Sequence, residues 1–508
     1  MANLIVFLIQ QFNIKTINAA QITNVVLGCT NFFPIIGAIV ADSFLGCFSV
    51  IWISSLISLL GLILMMLTVT LPGLRPPNCE TASNLCASPT GTQYSVLFTA
   101  LGLGSIGLGG TRFTLATLGA SQFSKLKHQS TYFNWYFFTL YVSSVICSTG
   151  IVYIEDNISW AWGFGIGIAG NVLGLVVFVF GSRYYCRDKP KGSPFTSLVR
   201  VVVASVRKRK VLISSRESGD FYYGDDGVKG TVVPTNSFRF LNRAAFKTEG
   251  DIITNGSISK PWKLCSVQQV EDLKTLIRIL PLWSTSIFLS TPIGIQASLT
   301  VLQALTTDRH LARRFKVPAG SMIVFAFIST AISLSLFDRC LATRRKYPPN
   351  NIPTPMQQIG IGHVFNVASM AVSALIESKR RSRSHIVPVS VLWLVPQMVI
   401  VGVGEAFHFP GQVAFYYQEF PIILKSMGTA MIALQLAVAF YLSTAVIDFV
   451  RSVTDWLPDD INDGRLDNVY WVLVVIGVLN FGYFIVCSWF YECKNVEEGN
   501  GTTVSDIE

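Results

Sequence analysis

Charged side chains are the first scarcity in this chain. Asp, Glu, Lys and Arg make up only 13% of its 508 residues, about half the share usual in soluble domains. A string of soluble domains, each needing a polar surface, is thereby excluded. Catalytic signatures are missing too. There is no HExxH, no GxSxG and no Walker A loop, so neither hydrolysis nor ATP-driven pumping has residues to work with, and the chain does not read as an enzyme. The ten cysteines include no pair at metal-ligand spacing, so no metal and no cofactor is expected. The net charge is +10, yet the basic run Arg207-Lys208-Arg209-Lys210 lacks interleaved aromatics, which argues against nucleic acid as a partner.

Long apolar runs are what the chain has instead, with 51% of its residues hydrophobic. Eleven runs approach or exceed the ~20 residues that a bilayer core requires: Ile22 to Ala41, Val50 to Leu71, Tyr94 to Gly119, Tyr132 to Ile154, Trp160 to Gly181, Ile279 to Leu305, Val317 to Phe337, Ile359 to Ile376, Ile386 to Pro410, Met427 to Ile447 and Val469 to Phe490. Backbone groups in lipid must be satisfied within their own segment, and the alternation of a barrel strand is missing, so the runs predict helices. The fold class is an all-α membrane protein. Ahead of the runs, Ala2 to Phe12 is long enough for only half a crossing. No basic residue precedes it, which disfavours a signal peptide. It is read as the end of a first helix whose start is not in this chain, and the chain as an incomplete or inactive form.

With that fragment counted, six spans, a polar connector and six more spans make two halves, the organisation of major facilitator transporters. The expected divisions are 1–181 for the first half, 182–274 for a basic cytoplasmic linker, 275–493 for the second half and 494–508 for a cytoplasmic tail. Two short loops that this topology puts outside are also basic, around Arg313 and Arg314 and around Lys379 to Arg383, against the usual sign rule. Cys79 and Cys86 share a Pro-rich outer loop; a disulfide and a pair of free thiols both remain open.

Two spans keep a formal charge near their middle, Arg112 and Glu405. Such a charge costs about 3 kcal/mol even on the lenient insertion scale, so it normally faces protein or a water-filled path. The Arg112 guanidinium offers a planar fork of donors that suits nitrate or a carboxylate; the plainer reading is an arginine that only ties helices together. Glu405 could take up protons or gate the halves, or could simply be a packing residue. His363 and His408 lie near span ends and read as interfacial. Trp283, Trp393 and Phe407 read as packing residues, with pocket lining a lesser possibility for Trp283 and Phe407. Gly102, Gly104 and Gly107 spell GxGxxG, but inside a membrane span they predict close helix packing, and Gly163, Gly167, Gly170 and Gly174 read the same way.

Beyond these arguments, Gly107, Gly109, Gly110, Arg112, Gly119, Ala120, Gln122 and Phe123 resemble the fourth-helix motif of the proton-dependent oligopeptide transporter family, in its plant nitrate and peptide branch. Phe133 to Tyr136, Trp162 to Gly165, Pro261 to Cys265 and Gly404 to Phe407 are similar to the same branch, and Asp42 and Gly46 keep its loop motif after the second helix. Within it, Gly110 to Thr117, Ser193 to Leu198, Val267 to Asp272 and Glu405 to Gly411 most resemble the nitrate excretion transporters. The resemblance implies a plant plasma membrane, nitrate as substrate and a site at Arg112 and Glu405. Three departures accompany it. Arg112 stands where the family usually has lysine, the fifth-helix motif is reduced to Phe138-Thr139-Leu140-Tyr141-Val142-Ser143, and the seventh helix has Ile293 where some nitrate carriers have histidine. They weaken what the resemblance implies for proton coupling. The function expected is carriage of nitrate or another small anion by alternating access, as efflux and with or without protons. The runner-up is a proton-coupled carrier of peptides or organic solutes, and a third reading is an inactive paralogue.

Overall fold

A computed structural model describes residues 3–77, 87–123, 126–186, 194–210, 222–224, 233–248, 250–252, 260–312, 315–344, 353–383, 389–420 and 425–502. Cys79, Cys86, Arg313 and Arg314 lie outside the described residues. The first half contains α1 (Leu4–Phe12), α2 (Thr16–Val40), α3 (Gly46–Thr70), α4 (Gly91–Ser121), α5 (Leu126–Ile146), α6 (Val152–Asn157) and α7 (Trp160–Phe180). The connector carries α8 (Pro194–Arg207) and α9 (Arg239–Asn242). The second half contains α10 (Val267–Leu305), α11 (Val324–Arg344), α12 (Pro355–Arg383), α13 (Val395–Glu419), α14 (Lys425–Val453) and α15 (Leu466–Thr502). The only sheet among the described residues is a hairpin between α10 and α11, with β1 (His310–Ala312) antiparallel to β2 (Phe315–Lys316).

Among the described residues ten stretches are long and apolar enough to cross a membrane, and one of them is the continuous α2–α3 run; with α2 and α3 counted apart they are the eleven expected. The run is continuous because Ala41–Leu45, read from sequence as a loop, forms a π-helical turn. Gly46 then redirects the chain at φ 75°, a conformation a side chain would strain. Helix ends differ from the apolar runs wherever a cap lies beyond the lipid-facing part. α10 starts at Val267, not Ile279, because Ser266 and Gln269 satisfy each other's backbone N–H groups in a capping box. The run from Tyr132 is interrupted by a π turn at Cys147–Ile151, and α13 is preceded by a 3-10 turn at Val391–Leu394.

Small residues set the closest helix contacts. A Cβ built on Gly61 would lie 2.7 Å from the Gly104 backbone nitrogen, and one on Gly107 would collide with Ser58, so α3 and α4 meet backbone to backbone. In the glycine row of α7 only Gly163 is tightly packed, a Cβ there lying 2.3 Å from the Glu155 side chain. Gly170 and Gly174 meet nothing within 4 Å, as does Gly102, so these three are not packing glycines.

The end of the bundle next to α8 is the linker end; the opposite one is the far end. The main hydrophobic core lies at the far end and draws on both halves, with Phe7 and Phe12 of α1, Trp160, Leu299, Met322 and Tyr470 buried together. Phe7 sits 5.1 Å from Trp160 and 5.5 Å from Phe164, so α1 is anchored although nine residues reach only about 14 Å. Polar contacts join the halves here too. Asp156 meets Arg309 at 3.5 Å, Arg451 donates to Asn18 at 3.0 Å, and Ser298 donates to Asn24 at 2.6 Å. The zip runs down α2 as far as Gly28 and Cys29, which touch Tyr441. One turn and two turns further on the same face, Phe32 and Ile36 are exposed. On α5, Tyr141 contacts Phe327 while Phe138, one turn nearer the linker, is exposed. The halves therefore close at the far end and part towards the linker end.

The connector has a small core of its own, in which Val201 and Ala204 of α8 pack on Ala244, Ala245, Val267 and Val270. Lys208 is buried there and paired with Asp251 at 2.8 Å. Burial alone would raise the Asp251 carboxyl, but Lys208, Thr248 and Lys263 outweigh it and hold the group down at about 2.

Candidate functional site

Arg112 is positioned by the glycines that precede it. Gly109 presses on Phe33 and Pro34 of α2, and Gly110 on Ser54 of α3, so one face of α4 is fixed against its neighbours. Arg112 lies past the middle of α4 towards the linker end and is exposed. Tyr136 of α5 donates its hydroxyl to the Arg112 carbonyl at 2.7 Å and ties the two helices at this level. Gly107, Gly109 and Gly110 are thus contact residues that hold the arginine's helix. The Asp42 side chain lies outside the described set, and Gly46 acts at the turn between α2 and α3.

Glu405 is set in the same manner from the other half. A Cβ on Gly402 would strike Ala326 and Ser329 of α11, and one on Gly404 would lie 3.1 Å from the Phe365 Cβ of α12. These contacts press α13 between its neighbours and leave Glu405 half-buried beside them. Among the described residues it makes no hydrogen bond or ion pair, unlike a carboxylate whose task is to join helices. Tyr141 of α5 lies within electrostatic reach of both the Glu405 carboxylate and the Arg112 guanidinium. Tyr141 is thus the group that both intramembrane charges reach, one from each half.

A tight crevice opens beside Glu405, lined also by Asn366, His408, Gly362, Leu289 and Ile293. Its walls correct the reading of the histidines. His363 and His408 are both 1% exposed, well inside α12 and α13, with ring centroids 5.8 Å apart. Gly362 explains the placement, because a Cβ there would sit 2.6 Å from the His408 Cβ. Ile293 lines the crevice directly, so the seventh crossing helix meets it with an apolar side chain.

Trp283 and Phe407 are not part of this crevice. Trp283 donates to the Met431 carbonyl at 2.9 Å and borders a second pocket with Ser286, Gln412 and Tyr416 nearer the linker end. Phe407 packs on Phe337 at 5.2 Å and on Phe365 at 6.3 Å, between α11 and α12, and lines neither pocket. Trp393 is exposed and covered by the Lys379 ammonium at 3.7 Å from its ring centroid.

Sequence reasoning also missed a buried ion pair. Arg380, placed from sequence in a basic outer loop, is in α12 and makes two 2.8 Å bonds to Glu377, with both side chains almost fully buried. Gln303 donates to Glu377 at 2.7 Å, and Arg380 reaches Asn462 at 2.8 Å. The loop's excess positive charge is therefore partly cancelled inside the protein. The i,i+3 spacing of Glu377 and Arg380 was the available signal. Among the described residues no cluster of His, Cys, Asp and Glu could hold a metal ion.

This geometry can be set beside known proteins. The POT family model, PTR2, matches residues 48–462. The chain is 52% identical over 507 residues to Protein NRT1/ PTR FAMILY 2.6 of Arabidopsis thaliana, covering 98% of this chain and 90% of that protein. It is 51% identical over 514 residues to Protein NRT1/ PTR FAMILY 2.7 of the same plant, covering 99% and 91%. Among solved structures, the POT family transporter PepTSo superposes with a TM-score of 0.72 at 16% identity, over 97% of this chain and 94% of that one. A POT family transporter in complex with 5-aminolevulinic acid gives 0.66 at 12% identity, over 97% and 92%.

Proposed function

The chain belongs to the POT family of multi-pass membrane transporters, and from that membership we propose that it carries nitrate across a plant plasma membrane by alternating access. What supports this reading is that Arg112 and Glu405, from opposite halves, both lie within electrostatic reach of Tyr141. Arg112 is the anion-binding residue: its fork of N–H donors fits two oxygens of a planar anion, and it holds a positive charge at every physiological pH. Glu405 faces the same region as a carboxylate without an ion-pair partner, and its charge disfavours an anion at Arg112 until a proton neutralises it.

The rocking motion uses the two ends differently. Ion pairs and the shared core hold the far end shut, while the parted linker end admits solute to Arg112. With the 182–274 connector on the cytoplasmic side, this is the inward-facing form. Return to the outward form requires the contacts of Asp156, Asn18 and Asn24 with the second half to break. Direction of net flux then follows the gradients, and efflux is the direction that the likeness to excretion carriers supports.

The test is ion flux into liposomes holding the purified protein, with a voltage imposed. Nitrate should enter faster than into protein-free liposomes, and dipeptides should not compete. Dipeptide uptake without nitrate flux would establish the peptide reading instead, and no flux of either solute would establish an inactive paralogue.

A further inference from the structure

The buried histidines have no role in the reading above, and their surroundings are unusual for packing residues. His408 is 1% exposed, and the backbone of Ile359 on α12 is the one polar group recorded beside its ring, with no hydrogen bond of normal geometry to either nitrogen. His363, equally buried, stacks on Phe484 at 4.8 Å and approaches the Asn480 amide at 3.5 Å through Nδ1, leaving Nε2 unpartnered. An imidazole needing only to fill space would cost less as Phe or Leu, because unpaired buried nitrogens are penalised. Glu405 and His408 stand three residues apart on one face of α13 and line one crevice, and His408 faces His363 at 5.8 Å. Asn366 closes the crevice with an unpartnered Oδ1, its amide spent on the Leu289 carbonyl at 2.9 Å.

We propose that Glu405, His408 and His363 form a proton-holding site inside the second half, with Glu405 as its door to the cleft and the two imidazoles as its interior. This deepens the transport reading and rests on it. A proton arriving from the cleft binds a Glu405 carboxyl oxygen. It then passes to a lone pair on a His408 ring nitrogen, leaving Glu405 as a carboxylate and His408 as an imidazolium, with the total charge unchanged. His363 faces the imidazolium and can accept from it through a ring nitrogen, but the two rings are too close for both to be charged in so dry a place. The two imidazoles therefore hold at most one proton between them. While the proton is on Glu405, the anion site near Arg112 sees no negative neighbour. When the proton moves to His408, the carboxylate charge returns and nitrate is released.

The other groups around the site leave these three to titrate. From α10 it meets Leu289 and Ile293, from α12 Asn366, and from α15 Asn480, Phe481 and Phe484. Tyr141 lies within electrostatic reach of Glu405, and Arg112 within reach of Tyr141. The Glu377–Arg380 pair is committed to itself and to Gln303 near the far end.

The experiment is voltage-driven nitrate flux in proteoliposomes between pH 5 and 8, each protein scaled to its own maximum. Wild type should vary steeply across this range, and His408→Gln, which keeps the volume and polarity but leaves only Glu405 to hold the proton, should shift the midpoint of the curve. His363→Gln should keep a curve but move its midpoint by about one pH unit, the shift expected when one partner of a protonated imidazole is exchanged. If His408→Gln does not fold, infrared difference spectra decide. The protonated-carboxyl band lost in Glu405→Gln should move in His363→Gln. A wild-type profile that is flat would overturn the proton site while leaving nitrate carriage standing. An unaltered profile in His408→Gln, or a carboxyl band indifferent to His363→Gln, would overturn it as well.

Discussion

At the scale of single residues, the environment of a charge matters more than its presence. Arg112 and Lys208 are both basic, yet one is exposed on α4 and the other is 3% exposed in a paired site of the connector. Arg112→Ala should lower nitrate flux by on the order of 10- to 100-fold, the worth of a charge-assisted pair of hydrogen bonds, while protein still reaches the membrane. Arg112→Lys should retain part of the flux, since charge remains and the fork is lost. Flux per protein in liposomes measures both, and a normal rate in Arg112→Ala would make the arginine structural. Asp251→Asn leaves the Lys208 ammonium buried without its counter-charge, at a cost of about 3–5 kcal/mol. The connector should then be cut faster by a protease at neutral pH. The wild-type pair has its own pH window. The Asp251 carboxyl is held at about 2 against about 3.9 in an unfolded chain. Its contribution is thus complete above pH 4 and disappears as the pH falls towards 2, which the same protease assay follows.

At the scale of elements, the glycines separate into two kinds that look alike in sequence. Gly107 of α4 and Gly61 of α3 are seams, because Ser58 of α3 and Gly104 of α4 occupy the space a side chain would need. Gly170 and Gly174 of α7 face open space, which in this protein is available to lipid. Gly107→Leu should therefore destabilise the first half by about 3 kcal/mol or more, as an overpacked contact does, and Gly170→Leu should be close to neutral. Thermal unfolding of the two variants in detergent checks the contrast, and equal losses would show that α7 is packed after all. The positions of α5 and α13 teach a related lesson. Their apolar runs were legible, but the π turn at Cys147–Ile151 and the 3-10 turn at Val391–Leu394 depend on how neighbouring chain fits, which hydropathy does not record.

At the scale of the whole molecule, the two halves touch through a graded series of contacts that begins at the far end. Asn24 and Ser298 stand near its inner limit, 2.6 Å apart and buried. A double change, Asn24→Cys with Ser298→Cys, should form a cross-link on oxidation that keeps the far end closed. Nitrate flux should stop in the oxidised protein and return with a reductant. Continued flux with the cross-link complete would mean that the far end does not open during transport.

The sequence by itself determined that this chain spans a membrane many times, that its helices fall into two sets around a polar connector, and that Arg112 and Glu405 are exceptional. Each conclusion rests on a local quantity: apolar length, charge cost at depth, or residue spacing. Tertiary structure alone decided which residues stand with those two. Tyr141 feels both only because α5 is brought near α4 of its own half and near the second half, where it contacts Phe327 of α11. His363 and His408, close to the ends of apolar runs, become interior because α12 and α13 continue past those runs and Gly362 lets them touch. Phe407, two residues from Glu405, is turned away by the helix period to pack on Phe337 and Phe365. Contacts between residues tens or hundreds of positions apart depend on how whole helices pack, and no window along the chain contains that information.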